Sequence, residues 1–377
     1  MAGMGFANGN MNVAADVGNF GVKLAVENPD GRGKGKLVQM FHALYETDET
    51  TYANLSESYS EQGTHQFLKW NKRCFILGEA ALSAGTDVKP LQGRSKYQKS
   101  YYSILFMSAF MNLMRRNDAI PERINVFAGY PPGDRAQKEN LQNALLGNWS
   151  FDSLGTKIHI RVDHVSVFDE IVGGAMNVAL ASDGTRIVGH PLTTDGPTIA
   201  VDIGGGTTDF LRLERNGMPD YTKIASRRVG INDAVSTFKL LFDRKHNDVL
   251  DDAINGLSLE RIYECFFDPQ HRVRLVGNEY IDCKDIYRQS INRVLNAVRD
   301  AFADFSQGAI NYNYVLLTGG GCGLLETELR TQIFPRFDKA NAIFLSETKQ
   351  EILYANVRGA RKMIRPMIER AKQRQGV

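Results

Sequence analysis

The stretch Ala200-Val201-Asp202-Ile203-Gly204-Gly205-Gly206-Thr207-Thr208-Asp209 begins as an apolar strand, reaches an aspartate and turns through three glycines. The stretch Val13-Ala14-Ala15-Asp16-Val17-Gly18 has the same form about half a chain length earlier. Asp and Gly are also common in ordinary tight hairpin turns, so one such stretch alone would decide little. Two at this spacing predict two similar domains, each opening with an aspartate-tipped hairpin, with a cleft between them.

Strands alternate with helical stretches through most of the chain. Apolar runs such as Arg123–Ala128 and Tyr314–Leu317 are typical of buried strands, whereas Leu259–Phe267 and Lys284–Phe305 have helical patterns. Alternation of this kind indicates an α/β fold, in which helices pack on sheets.

The composition argues against several classes of protein. The 377 residues include 45 Lys and Arg against 43 Asp and Glu, so no overall field draws the chain to nucleic acid or to a membrane surface. Its four cysteines form no Cys-x-x-Cys pair, which disfavours a zinc ribbon or a disulfide framework and fits a reducing cytoplasm. The uncharged stretch Tyr101–Met114 is too short to span a bilayer. We therefore expect a cytoplasmic protein without direct membrane or nucleic-acid binding.

Glycine clusters suit phosphate binding, because a residue without Cβ lets a phosphate approach the backbone N–H groups closely. In the second hairpin, Gly204, Gly205 and Gly206 would supply such donors. Thr207 and Thr208 would add two hydroxyls. The stretch therefore predicts a phosphate-binding turn.

The first hairpin offers matching groups. Gly18 and Asn19 would donate from the opposite side, and Lys23 is placed to reach the β- and γ-phosphates. Asp16 and Asp202 would face each other across the phosphate tail. Two carboxylates suit Mg²⁺, which prefers to keep several of its waters.

Two common nucleotide motifs are missing from the sequence, since it contains neither GxxxxGK[ST] nor GxGxxG. A P-loop NTPase and a Rossmann dehydrogenase are both disfavoured. A third glycine cluster lies in Val315–Leu324, where a strand turns into a helix start. Amides at that helix start could hold a ribose or inner phosphates, or the cluster could be a plain strand–helix turn.

These motifs together resemble the actin/Hsp70/sugar-kinase superfamily. The pattern Asp16-x-Gly18-Asn19…Lys23 and the stretch Asp202–Asp209 look like its two phosphate motifs, and Thr318-Gly319-Gly320-Gly321 looks like its adenosine motif. Spacing and length are most similar to the prokaryotic ParM-type plasmid-segregation actins, and Asn19 fits that branch better than actin itself. The resemblance implies an actin-like fold that binds ATP, or GTP, with Mg²⁺ held through water by Asp16 and Asp202.

Further matches place the domain boundaries. Phe168–Ala175 resembles the first interdomain connection, and Ala355–Gly359 resembles the second, where the chain returns to the first domain. The resemblance predicts a flexible extension at 1–12, a first domain at 13–185 that is completed by 353–377, and a second domain at 186–352.

The resemblance also implies a catalytic role for Glu170. The family places a Gln or Glu at the start of the first connection, where it holds water in line with the γ-phosphorus. Asp16 and Asp202 would share the catalytic site with it. Two alternatives stay open: Glu170 could simply interact with a helix dipole, or the neighbouring Asp169 could take its role.

Two segments allow more than one interpretation. Gly230-Ile231-Asn232-Asp233 resembles the family's segment near the ribose, although Asn232 is equally suited to cap a helix. The basic tail Arg358–Arg374 could touch DNA or could be a solvated helix face. In segregation systems of this type, the resemblance implies that an adaptor protein makes the DNA contact.

The resemblance thus implies an ATPase whose copies assemble head to tail into a helical filament, which would move or segregate plasmid DNA through the adaptor. The alternative is a small-molecule, sugar-type kinase of the same superfamily. Such an enzyme needs an acceptor pocket with a catalytic Asp, and no clear signature of one lies beside Gly129–Pro132.

Overall fold

The computed structural model describes residues 10–18, 21–26, 36–60, 66–84, 97–114, 120–215, 217–246, 257, 259–275, 279–306 and 312–375. Asn19 and residues 1–9 of the predicted extension lie outside these ranges. Strands and helices are both abundant within them, and the helices pack on two large sheets, so the predicted α/β class is confirmed.

Most strands are short, and many are largely buried, as expected where helices cover a sheet. In chain order they are β1 (Met11–Val17), β2 (Gly21–Val26), β3 (Lys36–Phe41), β4 (Leu44–Thr47), β5 (Phe67–Trp70), β6 (Arg73–Leu77), β7 (Arg123–Tyr130), β8 (Gly147–Ser153), β9 (Thr156–Asp169), β10 (Thr198–Ile203), β11 (Thr208–Leu213), β12 (Pro219–Arg227), β13 (Arg272–Arg274), β14 (Tyr280–Asp282), β15 (Tyr314–Thr318) and β16 (Ile343–Leu345).

The helices vary from single turns to more than five turns. They are α1 (Glu49–Ser60), α2 (Gly78–Ala84), α3 (Lys99–Leu113), α4 (Lys138–Leu145), α5 (Glu170–Ala179), α6 (Pro191–Thr194), α7 (Ile231–Lys245), α8 (Leu259–Phe267), α9 (Lys284–Ser306), α10 (Gly320–Leu324), α11 (Glu326–Glu328), α12 (Pro335–Lys339) and α13 (Ala355–Gln375). Within the described ranges, none is long and apolar enough to cross a bilayer.

The two large sheets share one topology. The order β3-β2-β1-β7-β9 in the first sheet corresponds to β12-β11-β10-β15-β16 in the second. In each, an antiparallel three-stranded meander is followed by two parallel strands. The first sheet continues through β8, β5, β6 and β4. The predicted pair of similar α/β units is therefore present, and each unit opens with one of the two aspartate-tipped hairpins.

The core consists of apolar layers on both faces of each sheet. Helix α3 packs on the outer face of the first sheet, and helices α7 and α9 pack on the outer face of the second. Between the sheets, α13 lies on the first and α5 lies on the second. The two inner helices cross closely, because a Cβ added to Gly359 would overlap the carbonyl oxygen of Gly173.

The two ends of the described chain differ in detail from what the sequence predicts. Strand β1 begins at Met11, inside the predicted extension, and the Asn125 side chain donates a 3.0 Å hydrogen bond to the Asn12 side chain. In the basic tail, Arg358 is buried, and its guanidinium lies 2.7 Å from Glu347 and 3.0 Å from Glu351. Arg358 therefore belongs to the interior, neither on a solvated face nor on a DNA-contacting surface.

Candidate functional site

The β1–β2 hairpin holds a carboxylate and an ammonium side by side. Asp16 and Lys23 are cross-strand partners, and the Lys23 Nζ lies 3.0 Å from the Asp16 Oδ2. Burial acts to lower the pKa of Lys23, but the adjacent Asp16 outweighs it and the pKa is raised, so the ammonium stays charged. The Gly18 N–H donates to the Gly21 carbonyl at 3.1 Å and closes the turn. The hairpin therefore presents a fixed cation at its tip.

A buried histidine contacts the backbone of this turn. The His42 Nδ1 lies within hydrogen-bond distance of the Gly18 carbonyl oxygen, and its Nε2 lies 3.2 Å from the Tyr101 hydroxyl. His42 carries no motif and is far from Gly18 along the chain, so the sequence contains no local signal for this contact.

The β10–β11 hairpin forms the second turn, and the start of α7 braces it. The Gly204 N–H donates to the Thr207 carbonyl at 2.9 Å. The backbone N–H groups of Ile231 and Asn232 donate to the carbonyls of Gly204 and Gly205 at 3.0 and 2.9 Å. These bonds occupy the carbonyls on the outer side of the turn, which leaves its glycines facing the space between the sheets.

Asp202 lies near the end of β10 and is buried. Burial raises its pKa to about 6, against the hydrogen bond from Asn356, which lowers it, and the charge of Asp16 raises it further. The Asn356 Nδ2 lies 2.7 Å from the Asp202 Oδ2. The two hairpin aspartates are thus electrostatically coupled, as expected if they face the same cleft.

The third glycine loop lies directly against Asp202. Gly319 has a φ of +80°, and a Cβ there would overlap the Asp202 Oδ1. A Cβ on the following Gly321 would overlap the Ile203 side chain. Both positions require glycine because the loop at the start of α10 lies directly beside the end of β10.

Glu170 is the first residue of α5 and faces the same space. A Cβ on Gly129, at the end of β7, would lie 2.8 Å from the Glu170 Cγ, so the side chain is closely packed where it leaves the first sheet. The preceding Asp169 faces Arg135, whose guanidinium lies 3.9 Å away. Burial is the largest influence on Asp169 and raises its pKa.

These groups surround one cavity of about 660 Å³ between the two sheets. Most of the sequence-predicted site residues line it: Asp16, Gly18, Lys23, Glu170, Asp202, Gly204, Gly205, Gly206, Thr207, Gly319, Gly320 and Gly321. The structure therefore brings three loops that are remote in sequence to one place.

Four predicted residues have other positions. Thr208 is fully buried and its hydroxyl donates to the Val229 carbonyl at 2.8 Å. Thr318 is also fully buried, and its hydroxyl faces Asn356. Asn232 and Asp233 lie in the first turn of α7, outside the cavity lining, where the Asp233 Oδ2 accepts from the Gly230 N–H at 3.1 Å. The predicted Asn19 lies outside the described residues.

The cavity wall also contains residues that the sequence did not single out for this site. One group lies on α8 and the residue that follows it, and another lies in the segment before α13. Asn356, in the first turn of α13, also lines the cavity. They include Gln39, Tyr263, Glu264, Phe267, Asp268, Leu324, Lys349, Ile352, Leu353 and Asn356. The amphipathic pattern of α8 predicted a helix but gave no indication of which face would meet a ligand.

No protein-family model matches the chain, and no curated protein matches it in sequence. Solved structures do match over nearly the whole length. The actin-like protein Alp7A has a TM-score of 0.71 and 14% identity, with 98% of this chain and 100% of that chain covered. The archaeal actin homologue Ta0583 has a TM-score of 0.69 and 16% identity, with 96% and 99% covered.

A Bacillus thuringiensis ParM, solved with ATP, has a TM-score of 0.64 and 15% identity, with 96% of this chain and 99% of that chain covered. The fold is therefore that of the actin-like proteins, which confirms the resemblance at the level of the fold. Identity this low leaves the chemistry of the cleft to be argued from its own residues.

Proposed function

We propose that this protein is a nucleotide-dependent, filament-forming actin-like ATPase. The observation that supports it most directly is the convergence of two aspartate-tipped hairpins and a third glycine loop on one cavity. A cavity of about 660 Å³ lies within the usual size range of cofactor pockets. ATP is the expected nucleotide, with GTP as the alternative.

The residues present fit a nucleotide with Mg²⁺. The Asp16 Oδ1 is buried and has no hydrogen-bond partner among the described residues, so a ligand or a water in the cleft would satisfy it. No three His, Cys, Asp or Glu side chains of the described part are grouped to hold a metal by themselves. Asp16 and Asp202 would instead hold Mg²⁺ through water, as suits an ion that keeps several of its waters. Bound there, Mg²⁺ would neutralise developing charge on the phosphates.

The protein's own groups would perform three tasks. Lys23, held in place by Asp16, would pair with phosphate oxygens. The glycine turns would donate backbone N–H groups to the phosphates without a Cβ in the way. Glu170 would orient the attacking water, and its reach would depend on how far the two sheets close on the nucleotide.

The other end of the cavity suits a base and ribose. Tyr263 and Phe267 provide aromatic surface on α8, and Glu264 provides an acceptor for hydroxyl or amino groups, whereas Asp268 is already paired with Arg272. Phe267 is 53% exposed and lines the cavity, so a base bound at this end would cover part of its ring.

Assembly is the second half of the proposal. Head-to-tail contacts between identical copies form a closed ring only when the successive rotations add up to a full turn. Otherwise they give a helical filament. The near-neutral net charge of +2 favours partners that are copies of the chain or an adaptor over direct DNA binding. We propose that such filaments move or segregate plasmid DNA in the cytoplasm, with a DNA-binding adaptor as the link.

Sedimentation and light scattering with ATP, GTP, ADP and no nucleotide would test this function, alongside phosphate release. We expect polymer that depends on a nucleoside triphosphate in the wild type, and none in Asp202→Ala. Acceptor-stimulated ADP release without polymer would instead support a small-molecule kinase. Failure to bind any nucleotide would overturn both assignments.

A further inference from the structure

One buried amide joins three elements that meet beneath the cleft. Asn356, near the start of α13, is 5% exposed. Its Nδ2 donates to the Asp202 Oδ2 at 2.7 Å, and the Thr318 hydroxyl donates to its Oδ1 at 3.0 Å. Asn356 thus ties the helix that lies on the first sheet to the ends of β10 and β15 in the second.

The partners fix which way the amide points. An ionised carboxylate can only accept hydrogen bonds, so the Asp202 side must receive the NH₂ group of Asn356. The amide oxygen then faces Thr318, whose hydroxyl can donate to it. The reversed amide would place its oxygen against the carboxylate of Asp202, which is unfavourable in a buried site.

Close packing leaves the amide little room to move. A Cβ on Gly174 of α5 would lie 2.8 Å from the Asn356 Oδ1 and would overlap the Thr318 hydroxyl. A Cβ on Gly173 would overlap the backbone carbonyl of Asn356. Any sliding of α5 against α13 must therefore move Asn356, and with it the carboxylate to which it is bonded.

We propose that Asn356 is a positioning residue for Asp202: it orients the carboxylate and couples it to the crossing of the two inner helices. The amide occupies Oδ2, and Oδ1 lies beside Gly319 in the loop that lines the cavity. The consequence for nucleotide binding rests on the proposed function, whereas the contact itself can be tested without any ligand.

The ligand-free test is a double-mutant cycle on thermal unfolding. Asn356→Asp places two carboxylates against each other and should lower Tm clearly. Asp202→Asn combined with Asn356→Asp restores an amide–carboxylate pair in reverse, and should recover most of that loss. A double variant that is no more stable than the two separate changes predict would overturn the proposed contact.

The second test measures Mg²⁺-dependent binding of a fluorescent ATP analogue. Changes in groups that orient a metal-binding carboxylate commonly weaken metal affinity by 10- to 100-fold, so we expect about that loss in Asn356→Ala. The swapped double variant should regain stability without regaining Mg²⁺-dependent binding, because the carboxylate has moved to the wrong residue. An Asn356→Ala variant that loses stability but keeps the Mg²⁺-dependent affinity of the wild type would show a merely structural role.

Asn177→Ala is the matched control. This α5 residue is also a buried asparagine, and its Nδ2 donates to the Ser346 carbonyl at 2.7 Å without touching Asp202. We expect it to lose stability but to keep the Mg²⁺ dependence of the wild type. Equal Mg²⁺ effects in both alanine variants would overturn the positioning role. If the wild type bound no nucleotide, the proposed function would fail, and the stability cycle would still decide the contact.

Discussion

The buried carboxylates of Asp16, Asp202 and Asp209 lie close together at the cleft, whose lining also includes the buried Glu170. Asp202 and Asp209 are cross-strand partners on β10 and β11. Burial raises the pKa of Asp209 to about 7, against hydrogen bonds from Ser226 and Thr207, and the charge of Asp202 raises it further. At the residue scale, the site therefore concentrates negative charge where a cation or a cationic side chain would be favourable.

Asp209 should make stability depend on pH. Its folded-state pKa lies above its unfolded value of 3.8. Its contribution to the free energy of unfolding is therefore fully present below about pH 4 and is lost as pH rises through about 7. Asp209→Asn removes this loss, and we expect its Tm to exceed the wild type's at pH 8 but not at pH 4. Each 1 kcal/mol of relief should raise Tm by roughly 2–4 °C.

Asp220→Asn, measured by the same thermal scans, is the control for this prediction. Thr222 holds the pKa of this half-buried acid below its usual value, so its removal should give no gain at pH 8. Parallel pH profiles for wild type and Asp209→Asn would show that Asp209 is not held in the unfavourable charged state.

Glu170→Ala tests the proposed water-orienting residue. We expect nucleotide binding and assembly to persist while phosphate release slows by about 100-fold, the usual lower range for a positioned acid–base group. Asp169→Asn is the neighbouring control, because Asp169 faces Arg135 and does not line the cavity. Unchanged turnover in Glu170→Ala, or an equal loss in Asp169→Asn, would contradict the assignment.

At the scale of elements, each hairpin or loop is closed by its own backbone and braced by a neighbour. The β10–β11 turn receives two N–H donors from the start of α7. The third loop fits only because Gly319 adopts a left-handed conformation with its α-carbon against Asp202. These glycines therefore let the loops touch one another, and under the proposed function they would also make room for phosphates.

Gly319→Ala tests whether the close contact between this loop and Asp202 costs more than ordinary backbone strain. Its backbone, at φ +80° and ψ +154°, costs an L-residue roughly 1–3 kcal/mol, and the overlap with Asp202 should add about 1–3 kcal/mol. Gly155→Ala is matched, since Gly155 has a φ of +81° and a Cβ added there would meet open space, with no side chain or backbone packed against it. Urea unfolding that shows equal losses in both variants would contradict the contact between Gly319 and Asp202.

At the scale of the whole molecule, the inner helices α5 and α13 connect the two halves. Each packs on a different sheet, and their crossing has room for glycine only at Gly173 and Gly359. Arg358 adds a buried ion pair with Glu347 across the same junction. Rotation about this crossing would change the separation of the two hairpins. Closure of the cleft would therefore also move the outer surfaces of the two halves relative to each other.

Gly359→Ala tests this junction. The added methyl has no space beside Gly173, so we expect the unfolding free energy to fall by about 1–3 kcal/mol and nucleotide-dependent polymer to decrease. Arg365→Ala changes an exposed residue of the same helix, whose pair with Glu369 is worth only a few tenths of a kcal/mol. Similar effects of the two substitutions on stability and pelleting would argue against a critical crossing.

Much of the site could be read from the sequence because its signals are local. The hairpins at Asp16 and Asp202 each combine an apolar strand, an acid and a turn within ten residues. The helices Leu259–Phe267 and Lys284–Ser306 match their predicted segments to within one residue. Less was predictable between β3 and β6, where short edge strands offer too few residues for a clear period.

The sequence by itself determined the α/β class, the repeated hairpins and the chemical types that line the cleft, since each is encoded in contiguous residues. The tertiary structure alone decided that Asn356 bonds Asp202, that α8 supplies the far wall, and that Arg358 is buried. These outcomes join residues that are distant along the chain. They depend on how two sheets and two crossing helices pack, and no local pattern specifies that packing.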